Sequence, residues 1–223
     1  MIFANLLLWI DPVKRSGPAA MAVDEWLLES ATRPVLRVYA WQGAWASIGY
    51  FGKLEEARTA VSGIQWVRRW TGGGVVDHRA DWTYTVVAPD GESLAGRRGA
   101  ESYQLLHQAL EETMRLEGLA VRMSAGDEQT GAALCFENPV HHDLVGNDGR
   151  KLAGAGQRRT RHGLLHQGSV AAAASPEVSR RRAEILAARL AGSWQPCSLE
   201  PPAAILAQKI AARYARPEWT ARR

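Results

Sequence analysis

Arg68-Arg69-Trp70-Thr71-Gly72-Gly73-Gly74-Val75-Val76-Asp77-His78 is the stretch on which the rest of the chain turns. The apolar run Ile64–Val67 before it reads as a strand, and Trp82–Val87 after it reads as another. Three consecutive glycines between strands cost stability unless the backbone needs freedom or something must come close to it. Two arginines directly before them point to a polar or anionic visitor. A glycine-rich turn with two solvated arginines is the plain alternative, and the run alone does not choose between them.

Outward from this loop, the chain reads as short strands with helices interspersed. Met1–Ile10 is apolar, with no basic region ahead of it and no cleavage site after it, so it reads as a first strand and not as a signal peptide. Met21–Glu29 has apolar residues at helical spacing, with Asp24, Glu25 and Glu29 off the apolar stripe. Leu36–Trp41 alternates, and Trp45–Tyr50 across Gly43 reads as its hairpin partner. Leu54–Ala60 reads as a short helix and Ala100–Gly118 as a long one, stopped by Gly118. Leu119–Met123 reads as a strand, and Ser124–Gly131 as a polar loop. Gly146-Asn147-Asp148-Gly149 is a hairpin turn between Asp143–Val145 and a strand starting at Lys151. Gly163–Val170 is a further strand, and two helices, about Pro176–Ala191 and Pro201–Tyr214, finish the chain. This order predicts an α+β fold with a mixed, mostly antiparallel sheet flanked by helices.

Composition excludes several classes. With 223 residues, the chain is expected to be one domain with a sizeable core. No window approaches 18 uncharged apolar residues, so no spanning helix is expected. The net charge of +4 is mildly basic and suits acidic protein partners as well as it suits nucleic acid. The nine tryptophans are scattered and form no stacking platform, so nucleic acid is not expected. Cys135 and Cys197 have no metal-ligand spacing and are read as free thiols of a cytoplasmic protein.

Several residues could carry chemistry. Lys151 follows a tight turn and precedes Leu152-Ala153-Gly154-Ala155-Gly156, where small residues leave room for an ammonium to meet a carbonyl or phosphate oxygen. A surface lysine on a hairpin is the alternative. Cys135, about one hairpin away, would be a nucleophile if a cation lowers its pKa, and otherwise a buried structural thiol. Cys197 has no such surroundings and reads as structural. His78 and His166, at glycine-containing strand ends, are candidates for acid–base work or for structural hydrogen bonding. His141-His142 lacks a third ligand, and no metal is expected. Arg150, Lys151, Arg158, Arg159 and Arg161 form a basic run that alternates faces, suited either to solvent or to an acidic carrier protein.

Three motifs together resemble the biotin/lipoate protein ligase superfamily, in its lipoate–protein ligase and cysteine-dependent octanoyltransferase branch. Arg68–His78 looks like that branch's Arg-Arg-x-Ser/Thr-Gly-Gly loop ending in His. Gly149–Arg158 looks like its Gly-x-Lys-Ile/Leu-x-Gly-x-Ala-Gln segment, and Gly163–Ser169 looks like its Leu-x-His-Gly-Ser/Thr strand. Met21–Glu25 matches the first helix. The resemblance is clearest over residues 20–172, within a single catalytic domain spanning 1–223 whose residues 176–223 are expected to be C-terminal helices.

The resemblance implies an acyl chain lying in a tunnel beside the glycine loop. It makes Cys135 and Lys151 catalytic. Arg68, Arg69, Thr71, Gly72, Gly73, Gly74, His78, Gly154, His166 and Gly168 become substrate-binding positions, with Arg68 and Arg69 structuring the loop or meeting a phosphate. Cys135-Phe136 followed by Pro139 is similar to the nucleophile segment of the cysteine-dependent octanoyltransferases, and Asp81–Val87 resembles their Glu/Asp-x-Thr-Tyr-Ser-Val strand. The length leaves no room for the large C-terminal domain of many ligases.

The implied reaction takes octanoate from an acyl carrier protein through a Cys135 thioester to a lysine of a lipoyl domain or glycine-cleavage carrier protein, with no cofactor. Lys151 would polarise the carbonyl and help accept the incoming lysine's proton. The alternatives are an ATP- and magnesium-dependent lipoate–protein ligase and a carrier-binding relative without the chemistry. Biotin ligation is not supported, because the loop lacks that branch's Gly-Arg-Gly-Arg-x-Gly pattern. Three positions depart from the family pattern. Gly52 stands where relatives often have Gln, Gly156 replaces the usual Ala, and Gln167 separates His166 from Gly168.

Overall fold

The computed structural model describes residues 1–126 and 139–222. Its elements run β1 (Phe3–Ile10), α1 (Gly17–Ser30), β2 (Val35–Tyr39), β3 (Trp45–Ile48), α2 (Leu54–Ala60), β4 (Gln65–Arg68), β5 (Val75–Asp77) and β6 (Trp82–Pro89). They continue with α3 (Ser93–Gly96), α4 (Gly99–Leu116), β7 (Val121–Met123), β8 (Leu144–Gly146), β9 (Lys151–Thr160) and β10 (Gly163–Val170). α5 (Pro176–Leu190), β11 (Ala191–Pro196), α6 (Ala203–Lys209), a π-helical turn (Ile210–Tyr214) and α7 (Pro217–Ala221) complete the chain.

Eight strands form one sheet in the order β11-β1-β2-β6-β10-β9-β8-β7, and three form a second in the order β4-β3-β5. Among the described residues of the large sheet only the β1–β11 and β1–β2 pairings are parallel, so the expected mixed, mostly antiparallel α+β architecture holds. One face of this sheet packs on α4 and α5 through Leu36, Tyr84, Val86, Leu106, Leu110 and Leu186. The other face lies under α1, where Trp9, Val87 and Leu165 meet Val23, Leu27 and Leu28. Leu106, Leu110 and Met114, spaced four apart, form the buried stripe of α4, and Gly118 ends that helix at φ +84°. Ser175 caps α5 by accepting a hydrogen bond from Val178 N.

Four expectations need correction. Trp45–Tyr50 is not the hairpin partner of β2, because β2 is already paired on both edges, by β1 and β6. β3 instead pairs in parallel with β4 and antiparallel with β5, a strand hidden in the loop reading. Residues 176–223 are not all helical, because β11 leaves α5 directly and covers the open edge of β1. Finally, Asp24 and Glu25 are buried although they break the apolar stripe of α1. Each has cationic company there: Asp24 Oδ1 lies 2.7 Å from Arg37 Nη1, and Glu25 meets Lys209 at 3.1 Å and Arg213 at 2.7 Å.

Candidate active site between the two sheets

The glycine loop connects β4 to β5 of the small sheet and packs against β9 of the large sheet, and the cavity lies between the sheets. The space there, counted together with its open mouth, is about 590 Å³. Val75 and His78 contribute from the small-sheet side, Gly154 and Gln167 from the large sheet, and Met21 of α1 and Tyr39 of β2 complete the walls.

Register explains which side chains face it. β-strand side chains alternate, and cross-strand partners share a face. Arg37 pairs with Thr85, Thr85 with Gln167, and Gln167 with Gly156. These four therefore form one row across the face that α1 covers. The next row, Tyr39, Thr83, Ser169 and Gly154, lies beside it.

The first row is bound into a continuous polar chain. Arg37 donates to Asp11 Oδ2 at 2.7 Å and to Asp24 Oδ1 at 2.7 Å. Asp24 Oδ2 accepts from Thr85 at 2.9 Å and from Gln167 Nε2 at 2.7 Å. Thr71 of the glycine loop then donates to Gln167 Oε1 at 2.7 Å.

The loop is seated backbone on backbone. Gly73 has φ +88°, which disfavours any residue with a Cβ. A Cβ on Gly156 would lie 2.3 Å from Gly72 O, so only glycine lets β9 touch the loop as it stands. Gly74 and its neighbours are further fixed by Arg69. That guanidinium donates to Gly74 O at 2.8 Å, Gly72 O at 3.2 Å and Ser47 Oγ at 2.6 Å. Burial pulls its pKa down to about 10, still a cation at neutral pH.

Arg68 is buried and spends its donors on the carbonyls of Gly49, Tyr50, Gly52, Trp219, Thr220 and Arg222. None of these carbonyls belongs to the glycine loop: Arg68 ties the segment after β3 to the C-terminal residues. His78 Nε2 lies 2.6 Å from Ser47 Oγ and His78 Nδ1 lies 2.7 Å from Asp81 Oδ2. Trp41 stacks on the histidine ring at a centroid distance of 4.0 Å.

At the other part of the wall, Lys151 Nζ lies 2.7 Å from Asp143 Oδ2. Its side chain crosses Gly154, where a Cβ would come within 2.5 Å of Lys151 Cε. An ammonium held at a cavity wall can stabilise negative charge developing on a carbonyl oxygen.

The structure thus brings Arg69, Thr71, Gly72, Gly73, Gly74, His78, Lys151, Gly154 and Gly168 together around the cavity or in the loop that walls it. It does not bring His166 there. His166 shares its parity with Leu164 and Val170, which face α4, and its ring nitrogens contact Tyr84 OH at 3.2 Å and Gln157 Nε2 at 3.1 Å. Burial holds its pKa well below the ordinary histidine value. Cys135 lies outside the described residues. Among the described residues no group of three His, Cys, Asp or Glu is arranged to hold a metal ion. The basic run divides as its alternation requires: Arg158 stacks on Trp70 at 4.4 Å, and Arg159 turns to Ser102 of α4.

Sequence reading missed Gln167, Ser47, Asp81, Asp143 and Tyr103. Gln167 could have been found by parity, since it falls two residues from Leu165 on the face opposite His166. The others emerge only when distant segments meet.

Comparison with known proteins bears on the fold and the family. Residues 16–212 match the family model of the lipoyl protein ligase A/B catalytic domain. Octanoyltransferase LipM of Moorella thermoacetica is 34% identical over 199 residues, covering 81% of this chain and 72% of the relative. The same-named protein of Staphylococcus epidermidis is 34% identical over 166 residues, 67% of this chain and 60% of the relative. The chain thus spans 60% of that curated relative's length and 65% of that of the Kyrpidia tusciae relative. Among solved structures, lipoate-protein ligase A bound with ATP has a TM-score of 0.72 at 19% identity, covering 99% of both chains. A Thermoplasma acidophilum bi-partite lipoate protein ligase, described with its E2 lipoyl domain, has a TM-score of 0.68 at 17% identity over 99% of this chain and 97% of that one. Since the family model spans most of the chain and the solved ligases share its fold, this chain belongs to the lipoyl protein ligase A/B catalytic domain family.

Proposed function

We propose that this chain is an acyltransferase that moves an octanoyl group from an acyl carrier protein to a lysine of a lipoyl-carrier domain. The observation that carries the reading is the placement of the Lys151 ammonium on the wall of a cavity closed by the glycine loop. Four relatives at 33–34% identity carry the name octanoyltransferase LipM, which favours transfer over ATP-driven ligation. Residues 1–223 act in this reading as one catalytic unit.

The Cys135 thiolate attacks the octanoyl thioester, a new carbon–sulfur bond forms, and the carrier thiol leaves with a proton. The acceptor ε-amine then attacks the enzyme thioester, an amide bond forms, and Cys135 regains its thiol. In this reading Lys151 donates to the carbonyl oxygen in both steps, and the loop that Arg69 and Thr71 hold lies against the acyl chain. The balance closes without a nucleotide. The basic groups of β9 suit an acidic protein partner.

The test is intact mass after incubation with octanoyl carrier protein and no ATP. An octanoyl adduct that disappears in Cys135→Ala is expected. Acceptor modification that requires ATP and free acid, and that survives Cys135→Ala, would sink the reading in favour of a lipoate–protein ligase. No modification under either condition leaves a carrier-binding relative.

A further inference from the structure

Asp143 is a fully buried carboxylate just ahead of β8, and no motif named above includes it. Its oxygens are divided between three segments. Oδ2 lies 2.7 Å from Lys151 Nζ and accepts from Val140 N at 2.9 Å, while Oδ1 accepts from Tyr103 OH at 2.5 Å. Tyr103 sits on α4, one turn from His107, whose ring lies 4.0 Å from its own. The phenol oxygen in turn accepts from Ala155 N at 2.9 Å. β8 pairs with β9 only at Lys151 and Ala153, so β9 outruns its neighbour and the Ala155 amide takes the tyrosine as partner. Gly154, between these points, leaves the space that the lysine crosses. A Cβ there would lie 2.7 Å from Lys151 Nζ and 3.0 Å from Asp143 Oδ1.

A carboxylate buried this deeply is costly unless it is paired and hydrogen-bonded. The three contacts meet that demand, and they also restrict the lysine. A long flexible side chain at a cavity wall would otherwise sample several rotamers, and electrostatic stabilisation needs the donor in place before charge develops.

We propose that Asp143 is the positioning residue of this site: it holds the Lys151 ammonium over Gly154 at the cavity wall, and Tyr103 braces the carboxylate against β9. The proposal rests on the reading of Lys151 as the cation that polarises the acyl carbonyl. Asp143 touches no reacting atom. Its effect reaches the reaction through the place in which Lys151 is held.

Two readouts separate this role from the functional reading. The first is the rate at which acetic anhydride acetylates Lys151 at pH 8, followed by peptide mass spectrometry on the full chain. Acetylation needs the amine released from its partner, so Asp143→Asn should label Lys151 about tenfold faster than the unmodified sequence. The second is octanoyl transfer, where Asp143→Asn should lower kcat about a hundredfold and change KM little, as expected for a misplaced group. Tyr103→Phe removes one oxygen from a packed ring and serves where Asp143→Asn does not fold; it should shift both readouts in the same direction by less. Asp143→Glu, which keeps the charge, should restore slow labelling. Unchanged labelling in a folded Asp143→Asn and in Tyr103→Phe overturns the proposal whatever the activity does. Unchanged kcat with faster labelling also overturns it. Faster labelling together with no octanoyl transfer by the unmodified chain sinks the functional reading and leaves the Lys151–Asp143 pairing standing.

Discussion

Replacing Arg37 by methionine tests the polar chain under α1. Arg37 is fully buried and lies 2.7 Å from Asp11 Oδ2 and 2.7 Å from Asp24 Oδ1, with its guanidinium carbon 3.9 Å from the Tyr39 ring centroid. Methionine fills the stem of the side chain but leaves two buried carboxylates without their shared cation. Removing one partner of a buried ion pair costs about 3–5 kcal/mol. With a urea m-value of roughly 2–3 kcal/mol/M, the unfolding midpoint should fall by about 1–2 M. Tryptophan fluorescence reads the transition, since the chain carries nine tryptophans.

The loss should depend on pH in a stated direction. Burial alone pushes the Asp11 carboxyl up, but Arg15 and Arg37 together hold it below the ordinary carboxylate value. In the unmodified chain this contribution is present above the unfolded carboxylate pKa of about 3.9 and is lost as pH falls through the lower folded value. Without Arg37 a buried carboxylate takes up a proton more readily. The gap between the two proteins should therefore narrow as pH falls from 7 towards 5. A loss below about 1 kcal/mol at pH 7, or a gap that stays constant over that range, refutes the reasoning. Adding Asp24→Asn to Arg37→Met should recover part of the loss, because it removes one of the stranded charges.

Other outcomes follow from single contacts. Gly154→Ala places a Cβ 2.5 Å from Lys151 Cε, the movable end of a side chain, so the thermal midpoint should change little while octanoyl transfer drops about a hundredfold. Gly168→Ala meets the buried Tyr84 ring, with a Cβ 2.2 Å from its Cζ, and should cost about 1–3 kcal/mol in urea unfolding. His107 is buried and its pKa is pulled down to about 4, so the unfolded chain binds its proton first and stability should fall between about pH 6.5 and pH 4. His107→Gln should make the urea midpoint less sensitive to pH over that interval; an unchanged slope counts against the assignment.

The elements that were legible in the sequence are those whose pattern is local. α4 shows its stripe at Leu106, Leu110 and Met114, and the β8–β9 hairpin announces itself at Gly146–Gly149. β5 was not legible, because three residues after three glycines are too few for alternation to register. β11 was hidden for a similar reason: Gly192 and Pro196 are poor strand residues, and the parallel pairing with β1 that makes them a strand comes from the other end of the chain. Asp24 looked like a break in the stripe of α1 because its partner Arg37 lies on another element. The motifs named the glycine loop and Lys151, which meet at one cavity, and also His166, which does not line it. The histidine looked chemical, and the parity of β10 assigned the cavity to Gln167 instead.

That parity bears on why the glycine loop sits where it does. The loop reaches the large sheet through Gly72, against Gly156, and through Thr71, against Gln167. Neither contact is apolar packing. Gln167 must have a partner for its carbonyl oxygen because it is buried, and its amide nitrogen is already committed to Asp24 at 2.7 Å. Asp24 is fixed in turn by Arg37, and Arg37 by Asp11. Each member of the row thus leaves one unmet demand, and the last demand is met by the Thr71 hydroxyl. A loop shifted away from β9 would strand that glutamine oxygen and, through Arg69, loosen Ser47 and the carbonyls of Gly72 and Gly74 as well. The wall of the cavity is therefore set by hydrogen-bond completion running from α1 through the sheet. The glycines are what allow the backbone to come close enough for that completion to happen.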